Sequence, residues 1–188
     1  MIIRRAQVDD AAAIAEVHVE TWRTSYAGML PDKFLLNLSA EKHEARWWRY
    51  VLAEDNRRHY VYVAEDEDAG VVGFCSGGVM RGKAAKFDGE VYALYLLENF
   101  QGMGVGKSLF LALVAHLQNT GDKTLLVWVL DQNPARFFYV SLGGKMVISR
   151  HGRVGGRKIR ELGYGWEDIG HLIERQSIRS IDINNTGN

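Results

Sequence analysis

The chain has 188 residues, of which 47% are hydrophobic and 24% charged, and its 23 basic residues equal its 23 acidic ones. This length favours one compact domain with a sizeable core, and the neutral balance removes the usual electrostatic argument for a nucleic-acid-binding or membrane-surface protein. The single cysteine, Cys75, excludes an internal disulfide and favours a reducing, cytoplasmic compartment. The N-terminal residues lack a signal-peptide pattern, and no apolar run is long enough to cross a bilayer.

The first third of the chain has the periodicity of helices, interrupted by a glycine and a proline before residue 32. Apolar spacing predicts helices over residues 9–26, 32–38 and 41–53. Asp9 is the expected N-cap of the first helix. Ala45 and Trp48 are expected on the apolar side of the third.

The rest of the chain alternates strands and helices. Strands are predicted over residues 60–64, 70–80, 90–97, 124–130, 145–149 and 158–166, with helices over residues 105–117 and 134–142. The acidic turn at residues 65–68 predicts an antiparallel hairpin. Together these elements predict an α/β or α+β fold, a mixed sheet flanked by helices. We expect one domain over residues 1–170 and a polar C-terminal tail over residues 171–188.

A glycine-rich turn joins the strand at residues 90–97 to the helix that begins at Val105. Glycines at positions 102, 104 and 106 let the main chain approach a ligand closely and adopt positive φ. Their amides, together with the positive end of the helix dipole, form a pocket suited to a diphosphate. Lys107 lies in the first helical turn, where a cation is unfavourable unless an anion is nearby. The pattern therefore indicates phosphate binding, although three glycines also suit a tight connection with no ligand.

Two common nucleotide-binding motifs do not fit this turn. The dinucleotide fingerprint G-x-G-x-x-G is not met, because the glycines run G-x-G-x-G. A Walker loop needs a glycine at position 101, which is Gln101. These mismatches and the preceding hairpin disfavour a nucleotide-binding protein of Rossmann type.

The turn does match the pattern Q/R-x-x-G-x-G/A, in the form Gln101-Gly-Met-Gly-Val-Gly106. It resembles the acetyl-CoA pyrophosphate loop of the GNAT superfamily of N-acetyltransferases. Residues 133–143 resemble a second family signature, N-x-A-R-x-F-Y-x-x-x-G, and residues 3–11 and 164–166 also read like members of the family. The similarity spans residues 1 to about 170 in the family's order.

The resemblance implies the GNAT fold, a mostly antiparallel sheet splayed between two parallel strands, here residues 90–97 and 124–130. The pantetheine arm of acetyl-CoA would enter that opening and pair with the main chain at residues 94–96, where an amide could also bind the acetyl carbonyl oxygen. The cofactor-binding residues implied in this way are Leu94, Tyr95, Leu96, Gln101, Gly102, Met103, Gly104, Val105, Gly106, Lys107 and Asn133.

Two catalytic roles follow from the resemblance. Glu90 has the spacing of the family's general base, which an amine needs because it is mostly ammonium at neutral pH. Strand alternation would place Glu90 on the face of Leu94 and Leu96; the alternative is an exposed carboxylate at a strand end. Tyr139 matches the tyrosine that protonates the departing CoA thiolate; the alternative is a tyrosine packed beside its phenylalanine neighbours.

The resemblance further implies that the amine acceptor enters from the opposite side, where the first two helices form the wall. Trp22 and Tyr26 are the candidate acceptor-binding residues, with helix core as the alternative. His151 and Arg153, in a glycine-rich turn between the last two strands, either border the acceptor entrance or face solvent. The six histidines show no ligand spacing and Cys75 has no cysteine partner, so we predict no metal site.

These observations predict an acetyl-CoA-dependent N-acetyltransferase that transfers its acetyl group directly to a primary amine in a ternary complex. The acceptor is a small-molecule or peptide amine whose identity the sequence leaves open. A non-catalytic acyl-CoA-binding module is the alternative. We expect neither a nucleic-acid nor a membrane partner, and homodimers are possible because they are common among GNAT relatives.

Overall fold

The computed structural model describes residues 1–52, 59–82 and 86–172. Its helices are α1 (Ala11–Ser25), α2 (Asp32–Leu36), α3 (Ala40–Leu52), α4 (Val105–Asn119) and α5 (Ala135–Ser141). Its strands are β1 (Ile2–Arg5), β2 (His59–Asp66), β3 (Gly70–Val79), β4 (Gly89–Leu96), β5 (Leu125–Leu130), β6 (Lys145–Val154) and β7 (Arg157–Trp166).

The strands form one sheet in the order β1-β2-β3-β4-β5-β7-β6. Neighbouring strands are antiparallel except for β4 and β5, which run parallel because α4 carries the chain across the sheet between them. The mixed sheet flanked by helices confirms the predicted fold class.

Helices cover both faces of the sheet. On one face α4 buries Leu109, Phe110 and Leu113 completely. On the other, Ile14 of α1 and Trp47 of α3 pack with Phe74 of β3. Apolar side chains alternate toward the two faces along the central strands, so both sides of the sheet acquire a core.

The start of α1 differs from the sequence prediction. Asp9 lies in a short 3-10 turn, and the helix begins at Ala11. The reason lies in Asp10, whose carboxylate accepts hydrogen bonds from Arg4 at 2.7 and 2.9 Å and from the Gln7 amide at 2.6 Å. Arg4 belongs to β1, a strand that the sequence analysis did not assign, so a tertiary contact sets where the helix begins.

Two other element predictions are corrected. In α3 the buried tryptophan is Trp47, while Ala45 is exposed and Trp48 is 53% exposed. The inward face is set by contacts with α1, where the Trp47 and His18 rings lie 5.8 Å apart. His151 and Arg153 belong to β6, which pairs with β7 as far as Val154, so the turn between these strands is shorter than predicted.

The C-terminal part of the described chain packs onto the core. Ile169 is fully buried and Leu172 is 4% exposed, so packing continues past the predicted domain boundary at residue 170. Most of the predicted tail, residues 173–188, lies outside the described residues. No helix in the described ranges has the length and apolar character needed to cross a membrane.

Candidate active site

Strands β4 and β5 separate after a short parallel contact. They pair only from Gly89 to Val91 on β4 and from Leu125 to Val127 on β5. An irregularity follows at once on the other side of β4: Val91 pairs with Gly77 and Ala93 with Ser76, which leaves Tyr92 as an extra residue. A bulge of this kind bends and twists the strand that contains it. The main chain of β4 beyond residue 92 therefore has no β5 partner and faces an opening.

A cavity of about 650 Å³ occupies this opening. Its walls come from the end of α1, the diverging halves of β4 and β5, the glycine loop and α5. Nine residues expected from the sequence to bind cofactor line it: Leu94, Tyr95, Leu96, Gln101, Gly102, Gly104, Gly106, Lys107 and Asn133. One space thus joins the splayed strands to the glycine turn.

The glycine loop has the geometry of an anion cradle. Gly102 and Gly104 have φ of 76° and 83°, in the left-handed region that favours glycine. A Cβ on Gly102, Gly104 or Gly106 would meet no protein atom within 4 Å, so packing within the chain does not explain the absence of side chains here. The first bond within α4 joins the Ser108 amide to the Gly104 carbonyl at 3.0 Å, which leaves the amides of residues 105–107 without helical partners. These features fit the diphosphate of coenzyme A.

Met103 and Val105 do not contribute side chains to this cavity. Met103 is 69% exposed, and the Val105 side chain is buried in the core beneath α4. Any contact of Val105 with a cofactor in this cavity would come from its main-chain atoms. Gln101 has a visible local role, because its Nε2 donates a hydrogen bond of 2.8 Å to the Leu96 carbonyl and so ties the loop to the end of β4.

Tyr139 lines the cavity from α5 and is only 6% exposed. Its ring packs between Phe110 and Trp166, at centroid distances of 6.2 and 6.4 Å. Burial raises the pKa of the Tyr139 phenol well above its usual value, so at neutral pH the hydroxyl keeps its proton. Asn133 is buried nearby, and its Oδ1 accepts a hydrogen bond of 2.8 Å from the Ala135 amide, which caps α5.

The α1 side of the cavity is polar but uncharged. The Tyr26 and Tyr95 hydroxyl oxygens are 3.5 Å apart, and burial raises the pKa of both phenols. Tyr26 lines the cavity as expected. Trp22 does not line the cavity but packs against Tyr26, and the centroids of the two rings are 5.0 Å apart. The wall residues that the sequence analysis missed include Thr21, Ser25 and Trp128. Thr21 and Ser25 are four apart on the predicted first helix, a spacing that could have revealed them.

Glu90 is buried but does not line this cavity in the described part of the chain. Its two carboxylate oxygens accept hydrogen bonds of 2.8 Å from the Arg81 amide and the Arg81 guanidinium. Because of the bulge, Glu90 does not lie on the face of β4 that the sequence analysis predicted. Leu94 and Leu96 point toward α4 together with Val91, so the neighbouring Glu90 lies on the opposite face of β4. Its role as general base stays a prediction.

Comparisons with known proteins agree with this geometry. Residues 17–143 match the family described as the Acetyltransferase (GNAT) family. The chain belongs to the GNAT family. It is 35% identical over 170 residues to the uncharacterized N-acetyltransferase YuaI of Bacillus subtilis, covering 90% of this chain and 95% of that one. It is also 23% identical over 146 residues to a spermidine N(1)-acetyltransferase of Thermoplasma acidophilum, covering 77% and 88% of the two chains.

Solved structures show the same fold. The PaiA N-acetyltransferase of Thermoplasma acidophilum in complex with coenzyme A has a TM-score of 0.67 and 23% identity, covering 85% of this chain and 96% of that one. The acetyltransferase YncA of Salmonella typhimurium with acetyl-CoA has a TM-score of 0.66 and 23% identity, covering 88% and 92%. Family membership confirms the predicted enzyme class, an N-acetyltransferase that uses acetyl-CoA, and does not favour the non-catalytic alternative.

Proposed function

We propose that this GNAT acetyltransferase carries an acetyl group from acetyl-CoA directly to a primary amine inside the cavity between β4 and β5. The observation that supports this most strongly is the continuity of that cavity, which runs from the glycine loop at the start of α4 to Tyr26 and Tyr95 on the acceptor side. Acetyl-CoA bound there would supply the activated acetyl group as a thioester. Both reactants can then occupy one space, as direct transfer requires.

The residues that would hold the cofactor divide into two sets. The amides of residues 105–107 and the positive end of α4 suit the diphosphate, and Lys107 adds a cation at the same end of the cavity. The main chain of β4 beyond Tyr92 has no partner on its β5 side, which suits the pantetheine arm, because the arm can pair there as an added strand would. An amide in this stretch would donate to the acetyl oxygen as negative charge develops on it.

Tyr139 is the proposed proton donor to the departing thiolate. Its hydroxyl keeps its proton because burial raises its pKa, and it lines the cavity that β4 borders. On the acceptor side, the hydroxyls of Tyr26 and Tyr95 offer hydrogen bonds to the incoming amine. Proton removal by Glu90 would need an intervening water, because its carboxylate is 2% exposed and held by Arg81.

The test is a turnover assay of the full chain with acetyl-CoA and a panel of primary amines, with release of free CoA as the readout. We expect acetylated amine and CoA in equal amounts, and initial rates that give intersecting lines in double-reciprocal plots, as a ternary complex requires. Parallel lines, typical of an acetyl-enzyme intermediate, would refute direct transfer. Binding of acetyl-CoA without turnover of any amine would instead favour the non-catalytic alternative.

A further inference from the structure

A second, smaller cavity of about 250 Å³ adjoins the acceptor side of the first. Two short turns separate them. In one, Tyr26 lines the main cavity and Met29 the second, and the Met29 amide donates to the Tyr26 carbonyl at 3.0 Å. In the other, Asn133 lines the main cavity and Leu130 the second, and the Asn133 amide donates to the Leu130 carbonyl at 2.9 Å. The two cavities therefore lie on either side of these turns, and each turn contributes residues to both.

The second cavity is rich in positive charge. Arg157, Lys158 and Arg160 of β7 line it together with one carboxylate, that of Asp131. Among the described residues, none of the three cations forms an ion pair with a carboxylate. The chain as a whole has no net charge, so this local excess does not simply follow from a basic composition.

The pairing of β6 and β7 concentrates the charge further. His151 lies opposite Arg160, and Arg153 lies opposite Lys158. Basic residues directly opposite each other in antiparallel strands destabilise the sheet. The next pair along these strands avoids such repulsion by joining opposite charges, because the Arg150 guanidinium contacts the Glu161 carboxylate at 2.7 Å. The outer pair of Arg153 and Lys158 has no such carboxylate partner in the described chain, so an anion from outside would relieve the repulsion between these two cations.

We propose that the cationic cavity binds a carboxylate or phosphate group of the acceptor, so that the amine this enzyme acetylates belongs to an anionic molecule. This inference rests on the proposed function and names its substrate class. One relative is named a spermidine N(1)-acetyltransferase. A polycation of that kind would be repelled here by Arg157, Lys158 and Arg160.

The experiment compares amines of matched length that differ in the charge of the far end: 4-aminobutyrate, 4-aminobutanamide and 1,4-diaminobutane, then the corresponding six-carbon series. 3-Aminopropylphosphonate distinguishes a phosphate-type from a carboxylate-type ligand. The wild-type enzyme should show the highest kcat/KM with an anionic member. Preference for the neutral or the dicationic member in both series would overturn the proposal.

Substitutions of the cavity-lining cations test whether these residues cause the preference for anionic amines. Lys158→Gln and Arg160→Gln should each raise the KM for the best anionic amine about fivefold, since one exposed ion pair contributes up to about 1 kcal/mol, with kcat and the KM for acetyl-CoA unchanged. Lys145→Gln is the control, because Lys145 lies at the other end of β6 and does not line the cavity. An unchanged KM in both lining variants, or an equal rise in the control, would refute the site.

A binding measurement separates this inference from the proposed function. Calorimetry with CoA present should show that 4-aminobutyrate or 3-aminopropylphosphonate binds the wild-type protein and binds the Lys158→Gln/Arg160→Gln double variant at least tenfold more weakly. That result would support the anion site even if no acetyl transfer were seen. Equal affinity of the two proteins would reject the site even if other amines were acetylated.

Discussion

The partly buried histidine His18 gives the strongest quantitative prediction from the structure. Its ring lies under the acceptor wall, 5.2 Å from the Tyr95 ring and 5.4 Å from the Trp22 ring. Burial, helped by the nearby His43 and Arg46, lowers the pKa of His18 to about 3. The unfolded chain has the ordinary value of about 6.5 and therefore binds a proton that the folded protein excludes. The associated stability is fully present above about pH 6.5 and is lost as the pH falls toward 3.

The size of the effect follows from these two values. Between about pH 7.5 and about pH 5.5, the unfolded chain takes up nearly one proton at this position and the folded protein almost none. The free energy of unfolding should therefore fall by about 1.4 kcal/mol from His18 alone. His59, whose pKa burial lowers to about 4, should contribute a similar amount over the same range.

Urea denaturation at the two pH values, followed by tryptophan fluorescence, measures this loss. His18→Phe should reduce the wild-type pH difference by about 1.4 kcal/mol, and His59→Phe by a similar amount. If the two effects add, the double variant should lose about twice as much of the pH dependence. Each variant serves as its own reference at about pH 7.5, so any packing cost of the new ring cancels. An unchanged pH difference in His18→Phe would refute the reasoning.

Three substitutions address the active site directly. Gly104→Glu should lower the affinity for acetyl-CoA in calorimetry about a hundredfold or more, because the new carboxylate would repel the diphosphate. Gly121→Glu is the control, since Gly121 has a positive φ of 98° and equally open surroundings but lies away from the loop. This control carries the same backbone strain and should bind acetyl-CoA with wild-type affinity. Tyr139→Phe should lower kcat about a hundredfold with little change in the KM for acetyl-CoA. Tyr164→Phe is the control and should keep the wild-type kcat, because Tyr164 is a core tyrosine outside the cavity lining. Equal rates for the wild-type protein and both variants would disprove proton donation by Tyr139. Glu90→Gln should lower the free energy of unfolding by about 1–3 kcal/mol because it weakens the contact with Arg81, and a large loss of kcat at unchanged stability would instead support Glu90 as the base.

The sequence by itself determined the parts of this protein that depend on local chemistry. The spacing of the glycines between residues 101 and 107 predicted the phosphate loop, because positive φ and close approach to a ligand need glycine whatever surrounds it. Apolar periodicity predicted α4, because the apolar face of this helix is broad enough to be recognised from the sequence without its tertiary contacts. Tyr139 was predicted as the proton donor from its place in a family pattern, and it lines the cavity.

Only the tertiary structure decided which residues meet. The extra residue at Tyr92 changes the face on which Glu90 lies, and no periodicity in the sequence reveals it. Arg4 selects the start of α1 through Asp10, and α1 selects which tryptophan of α3 is buried. The cationic cavity likewise depends on the pairing of β6 with β7 and on the position of Met29 in the cavity wall. In each case contacts between residues far apart in the chain outweigh local preference, because packing energies exceed the few tenths of a kcal/mol that separate local conformations.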